Sequence, residues 1–435
     1  MLQNDLYEAL CEVPVIDVHS HINRDQIGAE NLQKVLMYHM LLYPLRSAGI
    51  DDRTLWPNGL TKAIDLSMDD WFRAWPAVQH TGFGWMLRTI LRDLYEFDKP
   101  LTKETLPQLQ EAFDSQTSRD DWAKHVLGKG NVVRLFSSVL NVDPLGEDEW
   151  DPGIRFTIES TPGCGKGEYK GQGWGRRMEA MGKILNRQAS SVEDMREAVT
   201  AFYDSKDWTN RNALVAWISG EADFTPIDDA QANAILAEAM TGDEKISKHT
   251  RRVLEGLFVR SICEAIRGKV PILQLCYGTQ YLTPEPQNAH PVQKAAPQMA
   301  ETFAHLLGDY PEIHFNMLNG YEPQEPIWCG LVQGYGNLSL ANFWWQCFYP
   351  TVMHNAWARR LDMAPLSRLI GFFSDGWSID YVYGRLTMVR RVMANVFAEK
   401  IQRGFLNRNE ALCIAREIFF QTPKSLFLPN EDVRV

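Results

Sequence analysis

The sequence predicts an α/β protein, and within that class a (β/α)8 TIM barrel with a helical insertion after the first strand. Three observations support this prediction. Eight short apolar segments occur along the chain, stretches with helical periodicity separate most of them, and the 435 residues, 45% of them hydrophobic, can bury a large core. Near-continuously apolar strands that alternate with helices are typical of a parallel sheet, and eight such units suggest a closed barrel.

The strand candidates are unevenly spaced, with about 110 residues between the first and the second. Each candidate is a short apolar run, and turn-forming or polar residues flank most of them. The eight candidates are Val13 to His19, Val132 to Leu140, Ile154 to Glu159, Ala213 to Ile218, Val270 to Cys276, Ile313 to Leu318, Asn337 to Asn342 and Leu369 to Asp375.

The long gaps between strands predict two insertions in a single barrel domain that spans residues 1–435. Residues 22–130 look helical and rich in tryptophan, so we expect them to cap the barrel mouth, and residues 165–212 form a second helical insertion. The Gly-rich tract at 163–167 lacks the phosphate-loop pattern and is expected to be a flexible connection. Two helices, 381–403 and 409–420, close the barrel, and Asn407 is placed to cap the second.

Composition excludes several classes of function. The formal net charge is −11 and no block is rich in Lys and Arg, which argues against nucleic acid or an anionic membrane as partner. We find neither a secretory signal nor an apolar run long enough to span a membrane, so a soluble, cytoplasmic protein is expected. Seven cysteines without C-x-x-C spacing fit reduced thiols. A small molecule is the expected partner, and homo-oligomerisation is left open.

Two histidines at the end of the first strand point to a metal site. His19 and His21 alternate along the strand, so their imidazoles share a face and lie roughly 6.6 Å apart along the backbone. Asp375 ends the eighth strand before a polar, Gly-containing loop, and the carboxyl ends of barrel strands face the same mouth. Imidazole nitrogen suits zinc, iron, nickel or copper. A metal site is therefore expected at this mouth.

The segment Ile16-Asp17-Val18-His19-Ser20-His21 resembles the first-strand signature of the amidohydrolase superfamily, and most of the remaining chain resembles one branch of it, the uronate isomerases. The likeness runs in the same order along the chain. The matching pieces are His39 with Leu45 to Ile50, Leu94 to Thr102, Trp344-Trp345, Leu366 to Asp375 and Tyr383 to Phe427. The resemblance implies a barrel in which His19, His21 and Asp375 hold one divalent metal ion, with zinc as first choice, and in which Asp375 also handles protons.

The departures from that family concern substrate recognition. Trp377 stands where the resemblance implies an arginine that grips the carboxylate of a sugar acid, and Glu159 stands where it implies a second arginine. An indole and a carboxylate in place of two guanidinium groups remove bidentate anion recognition and add repulsion, so a simple uronate should bind poorly. The family's tyrosine after His39 is Met40 here, and its fifth-strand histidine falls at Cys276.

The remaining residues allow three interpretations. In an aldose–ketose isomerase, Asp375 and His39 would be catalytic and Tyr38 or Tyr43 could supply a displaced phenol. A hydrolase of an ester, lactone or amide would need fewer residues, and a ligand-binding barrel without catalysis is the third interpretation. The expected substrate is carbohydrate-like or aromatic, because indole faces stack well on such molecules. Expected substrate-binding residues are Trp344, Trp345, Trp377, Arg46, Glu159 and Tyr43, with Cys276 and His314 as undecided reserves for the site.

Overall fold

The structure is a computed structural model, and it describes residues 2–23, 26–50, 68–138, 154–159, 174–208, 211–241, 247–281, 291–344, 348–431 and 433. Seven strands form one parallel sheet in the order β1-β2-β3-β4-β5-β8-β9, and β6 pairs with β7 in a separate antiparallel hairpin. The strands are β1 Val15–Ser20, β2 Val132–Ser138, β3 Ile154–Glu159, β4 Ala213–Trp217, β5 Ile272–Tyr277, β6 Thr279–Tyr281, β7 Pro291–Gln293, β8 His314–Asn319 and β9 Leu338–Phe343.

Helices separate most of the sheet's strands. The α-helices are α1 Leu2–Cys11, α2 Leu32–Leu36, α3 His39–Ser47, α4 Met68–Val78, α5 Gly82–Leu94, α6 Leu106–Thr117, α7 Trp122–Lys129, α8 Trp174–Leu185, α9 Val192–Asp204, α10 Asp229–Met240, α11 Lys248–Ile266, α12 Pro297–Asp309, α13 Glu325–Gly334, α14 Pro350–Met363, α15 Ile379–Gln402, α16 Arg408–Arg416 and α17 Thr422–Phe427. Short 3₁₀ turns lie at Glu322–Gln324 and Leu366–Arg368, and a π-helical turn lies at Glu417–Gln421.

An eighth segment, residues 369–376, lies between the two edges of the sheet. On one side the Ile370 N–H donates to the Leu340 carbonyl of β9 at 2.9 Å. On the other side the Asp375 N–H donates to the His19 carbonyl at 2.9 Å, and the His21 N–H donates to the Gly376 carbonyl at 2.8 Å. These bonds to both edge strands complete a ring of eight, as expected for a TIM barrel.

That eighth segment is not a regular strand, which differs from the prediction for Leu369 to Asp375. Two of its N–H groups are wholly or partly diverted from the ladder: Gly371 donates to the Ile418 carbonyl at 2.8 Å, and Ser374 donates to the Asp17 carboxylate at 2.9 Å as well as to the His19 carbonyl at 3.2 Å. A continuous ladder needs those donors, so only isolated pairing with the neighbouring strands remains.

The other predicted strands are all present, and their described ends differ from the predicted ends by at most two residues. The β6–β7 hairpin was not predicted, and residues 139 and 140 of the second candidate lie outside the described part. Every residue of β1, β5 and β9 is buried, as in parallel strands that are covered on both faces.

Polar side chains in the interior link neighbouring strands and also strands on opposite sides of the ring. Gln274 donates to the Val18 carbonyl and to the Asn316 side chain, both at 3.0 Å, and Asn316 donates to the Ser339 hydroxyl at 2.8 Å. These bonds satisfy polar groups that would otherwise be costly to bury.

The regions predicted as insertions contain helices where they are described: α2 to α7 fall within 22–130, and α8 and α9 fall within 165–212. The two predicted closing helices correspond to α15 and α16, and the predicted cap is present, since Asn407 and Glu410 form a reciprocal capping box. Among the described residues, no helix has the length and apolar character needed to cross a membrane.

One glycine gives a test of the packing around the barrel. A Cβ on Gly256 in α11 would overlap the backbone carbonyl of Asp223, whereas a Cβ on Gly330 in α13 would meet nothing within 4 Å. We expect Gly256→Ala to lower the free energy of unfolding by at least about 2 kcal/mol, because backbone cannot yield as a flexible side chain can. Gly330→Ala is the control and should be neutral or stabilising, by up to about 1 kcal/mol. Denaturant unfolding measures both, and equal effects would contradict the packing described.

Candidate metal centre

The structure brings the three predicted ligands together at the carboxyl ends of the strands. The Nε2 atoms of His19 and His21 lie 3.5 Å and 3.0 Å from Oδ1 of Asp375. All three side chains are buried, and their candidate donor atoms lie within 4.8 Å of one another. The two imidazoles meet edge to face, with centroids 5.0 Å apart. Residues 354 positions apart in sequence thus form one cluster.

The donor set fits a divalent metal ion. Two imidazole nitrogens and one carboxylate oxygen are typical of catalytic zinc, which keeps a further position for water or substrate. Ligand atoms about 2.0–2.1 Å from a tetrahedral ion would stand roughly 3.4 Å apart. The separations of 3.0 Å and 3.5 Å are close to that value. The role of these residues as ligands stays a prediction.

The backbone of Asp375 is strained. Its φ of +50° lies in the left-handed region, which a residue with a Cβ rarely adopts. Such strain costs of order 1–3 kcal/mol and persists only where surrounding contacts hold the residue. The strain places the carboxylate beside both imidazoles while the Asp375 N–H still donates to His19.

The charge of Asp375 is set by its neighbours. Burial raises the pKa of this carboxyl, but the hydrogen bonds with the two imidazoles and the electrostatic attraction of His21 and Arg385 outweigh burial and hold the pKa well below its usual range. The Arg385 guanidinium is fully buried, with Nη1 3.7 Å from Oδ2. The carboxylate is therefore an anion with one oxygen toward the imidazoles and the other toward a cation.

Tyr38 reaches the same residue from the first insertion. Its hydroxyl lies 3.4 Å from the backbone carbonyl of Asp375, and its ring stacks on Tyr381 with centroids 3.6 Å apart. Burial raises the pKa of the Tyr38 phenol to about 12, so it stays protonated and can donate at neutral pH. Tyr38, one of the two phenols considered from the sequence, therefore lies at the cluster.

Trp377 and His39 lie beside the cluster. The indole of Trp377 stacks on the His21 imidazole, with centroids 4.7 Å apart and planes 21° apart. His39, the first residue of α3, meets the same indole edge to face at 6.1 Å. Both rings are half-buried. The predicted acid or base and one predicted substrate-binding residue are thus near the three candidate ligands.

Tyr43 and Arg46 follow His39 by four and seven residues along α3, so the three side chains project from one face of that helix. Arg46 is buried and Tyr43 is half-buried. Their expected contact with substrate stays a prediction. Glu159 is the last residue of β3, as expected, but its side chain lies outside what the structure describes, and so does the whole of Trp345.

Trp344 is buried rather than open to the mouth. It follows β9, only 3% of its surface is exposed, and its indole meets Trp217 edge to face at 5.1 Å. Trp217 ends β4, so the pair connects strands that are not adjacent in the ring. We did not predict Trp217 from the sequence. Mutual packing explains Trp344 as well as substrate stacking does.

Neither reserve residue belongs to the ligand cluster found among the described residues. His314 begins β8 at the opposite end of the barrel, its Nε2 is 2.9 Å from the Ser339 hydroxyl, and burial, with Arg368, lowers the pKa of its imidazole to about 4. His314, left undecided from the sequence, thus lies away from the three candidate ligands. Cys276 is buried near the end of β5, and the cluster found among the described residues does not include it.

The first insertion is attached to the start of α15 by buried polar contacts. Asp380 accepts hydrogen bonds from the Tyr95 hydroxyl at 2.5 Å and from the Ala29 N–H at 2.9 Å. The Tyr381 hydroxyl donates to the Val35 carbonyl at 2.8 Å. These contacts hold the region that carries Tyr38 and His39 beside Asp375.

Comparison with known proteins shows which proteins this chain is similar to in sequence and fold. No family model matches the chain. A curated uronate isomerase of Thermotoga sp. (strain RQ2) is 22% identical over 450 residues, covering 97% of this chain and 96% of the relative. The crystal structure of uronate isomerase from Thermotoga maritima has a TM-score of 0.78 at 16% identity, covering 98% of this chain and 97% of that one. Glucuronate isomerase from Caulobacter crescentus has a TM-score of 0.76 at 14% identity, covering 99% and 94%.

The predicted resemblance is confirmed. The chain is similar to uronate isomerases over almost its whole length, and the low identity fits a divergent member. The predicted fold class, an α/β barrel of the TIM type, is confirmed by the same structures.

Sequence analysis missed Arg385. An arginine within an otherwise apolar part of a predicted closing helix was a signal, because a fully buried guanidinium normally has a charged partner. The sequence could not show that the partner is Asp375, since the turn that follows the eighth segment sets the distance between them.

The buried carboxyl of Asp380 should make the stability of the protein depend on pH. Burial raises the pKa of its carboxyl, and the bonds from Tyr95 and Ala29 offset only part of that effect. The stability contributed by the neutral carboxyl is complete below the unfolded-state pKa of about 3.9 and is lost as the pH rises through the raised folded-state pKa. Asp380→Asn, neutral at every pH, should lack that loss. Its free energy of unfolding should therefore improve relative to the wild type as the pH rises from about 4 through the raised folded-state pKa.

Denaturant unfolding across that range, in the presence of a chelator, measures the effect. Tyr95→Phe is the matched control, because it removes one hydrogen bond and keeps the carboxyl, so its loss of stability at higher pH should be at least as large as in the wild type. Parallel curves for Asp380→Asn and the wild type would contradict a raised pKa at Asp380.

Proposed function

We propose that this protein is a metal-dependent aldose–ketose isomerase that acts on a sugar or a sugar-acid-like substrate. The observation that supports this most is the buried cluster of His19, His21 and Asp375 at the barrel mouth. Similarity to uronate isomerases over nearly the whole chain makes isomerisation the first choice.

His19, His21 and Asp375 would hold the ion, for which zinc is our first choice. When bound, a divalent ion supplies electrophilic polarisation of the substrate's oxygens. Asp375 holds a negative charge beside that position, and the Tyr38 phenol stays protonated at its backbone carbonyl. His39 is the residue we assign to move a proton between neighbouring carbons.

The two insertions would form the cover of the site. The first one carries Tyr38 and His39 to the cluster and is attached to α15 through Asp380. A covered mouth would exclude water while the substrate's protons move, which protects a reactive enediol. The second, around α8 and α9, would extend this cover.

The substrate-binding surface would be altered at Trp377. Its indole lies flat on His21 and supplies no charge. Such a face suits the C–H face of a sugar or a flat ring better than a carboxylate. Arg46, Tyr43 and the indoles at 344 and 345 are the further residues that we assign to a small-molecule, carbohydrate-like substrate. We place the protein in the cytoplasm.

A second candidate is hydrolysis of an ester, lactone or amide. The same three ligands suffice for that chemistry, and Trp377 in place of an anion-binding group favours a neutral substrate. In that case Asp375 would take a proton from the attacking water and pass it to the leaving group.

Metal content separates an enzyme from a ligand-binding barrel. We expect purified protein to hold about one equivalent of divalent metal per chain, in keeping with one site of three ligands. The double variant His19→Ala/His21→Ala should hold none, as measured by elemental analysis after dialysis. His314→Ala is the control, since His314 lies at the other end of the barrel, and it should keep the metal. Wild-type protein that stays metal-free after addition of Zn²⁺ or Mn²⁺ would contradict the proposal.

Solvent deuterium separates the two enzymatic candidates. Isomerisation by proton transfer can place deuterium on carbon in D₂O, whereas hydrolysis consumes water and opens a ring or forms two products. The metal-loaded protein should exchange deuterium into an aldose or ketose, read by NMR. Ring opening or cleavage without exchange would favour the hydrolase.

The indole of Trp377 should make the protein prefer a neutral substrate over a uronate. Glucuronate and galacturonate should be turned over slowly, because an indole cannot form the bidentate hydrogen bonds that a carboxylate prefers. Trp377→Arg should raise kcat/KM for these uronates and lower it for the preferred neutral substrate, while Trp377→Phe should not improve uronate turnover. Brisk uronate turnover by the wild type would show that this reasoning about the carboxylate is wrong.

A further inference from the structure

Arg385 lies on the far side of Asp375 from the two imidazoles. Oδ1 of the carboxylate faces His19 and His21, and Oδ2 faces Nη1 of Arg385 at 3.7 Å. The guanidinium is fully buried. It therefore touches the candidate ligand without taking part in the ligand cluster.

The surroundings of Arg385 are mostly aromatic. Its Cζ lies 4.7 Å from the ring centroid of Phe348, 5.8 Å from that of Tyr38 and 5.9 Å from that of Phe83. Among the described residues, Nε and Nη1 find no hydrogen-bond partner. A buried guanidinium with so few acceptors costs free energy, so stability alone explains it poorly. Its carboxylate partner accounts for its presence.

Tyr38 contacts both residues of this pair. Its hydroxyl lies 3.5 Å from Nη2 of Arg385 and 3.4 Å from the backbone carbonyl of Asp375. Stacking on Tyr381 fixes the ring. Tyr38 thus contacts the main chain of Asp375, and Arg385 contacts its side chain. Such contacts are the external support that the strained φ of +50° requires.

We infer that Arg385 and Tyr38 are positioning residues that hold Asp375 in its left-handed conformation, with Oδ1 aimed at the imidazoles and Oδ2 kept off the metal. This inference rests on the proposed metal site. Such partners behind a ligand commonly change metal affinity 10–100-fold when they are removed. The alternative is that both residues serve only to stabilise the fold.

The chain offers a matched control in Arg360. Its guanidinium is also fully buried, pairs with the buried Glu325 carboxylate at 2.8 Å and lies over the Phe343 ring at 4.3 Å. It pairs with no member of the ligand cluster in the described part of the chain. Substituting Arg360 should therefore affect stability without affecting the candidate metal site.

The experiment uses Co²⁺ alone as the probe, added to full-length, metal-free protein. Two readouts apply: the dissociation constant, and the visible d–d absorption, which reports the coordination around Co²⁺. Variants are Arg385→Met, Arg385→Lys, Tyr38→Phe and the control Arg360→Met, each also followed by thermal unfolding.

Arg385→Met should weaken Co²⁺ binding about 10–100-fold and change the d–d spectrum, because Oδ2 becomes free to turn toward the ion. Arg385→Lys keeps the charge and should recover part of the affinity. Tyr38→Phe should change the spectrum in the same direction to a smaller extent. Arg360→Met should lower the melting temperature and leave affinity and spectrum as in the wild type.

Wild-type affinity and spectrum in folded Arg385→Met would overturn the inference while the proposed metal site stands. Should Arg385→Met fail to fold, Arg385→Lys and Tyr38→Phe decide in the same way, and a wild-type spectrum in both would overturn it. Absence of Co²⁺ binding by the wild-type protein would instead overturn the proposed function, and the inference with it.

Discussion

The candidate site depends on one set of backbone contacts, those that join residues 374–376 to the end of β1. The Asp375 N–H donates to the His19 carbonyl, and the His21 N–H donates to the Gly376 carbonyl. These two bonds close the ring of strands and, at the same place, bring a carboxylate to two imidazoles. Closure of the barrel and assembly of the cluster are therefore the same structural event, which explains why ligands from opposite ends of the chain can meet.

Much of this could be predicted from the sequence because the signals were local. Alternation placed His19 and His21 on one face of a strand, and the apolar runs located all seven regular strands of the main sheet. The eighth segment was found but taken for a regular strand, because a sequence does not show that Gly371 donates its N–H to another element. The roles of Arg385 and Trp217 depend on contacts between distant elements, so no local pattern revealed them.

Trp344 shows the limit of reasoning from residue type. A tryptophan after a barrel strand suits either packing or substrate stacking, and its burial against Trp217 is the outcome of contacts across non-adjacent strands. Trp377 has the same chemistry and a different position, half-buried on the imidazole of a candidate ligand. The difference between Trp344 and Trp377 comes from the turn after Asp375, which directs the Trp377 indole toward the ligand cluster.

The first two turns of α15 connect the first insertion to Asp375. Asp380 accepts from Tyr95 and Ala29 in the first insertion, and Tyr381 and Arg385, four residues apart on one helix face, both contact Tyr38. Any shift of that insertion must therefore move the Tyr38 ring against this face, and Tyr38 also contacts the backbone of Asp375. Because Asp375 is held in a strained conformation, a small displacement there changes the aim of its carboxylate. The first insertion and Asp375 are thus mechanically linked through packed side chains.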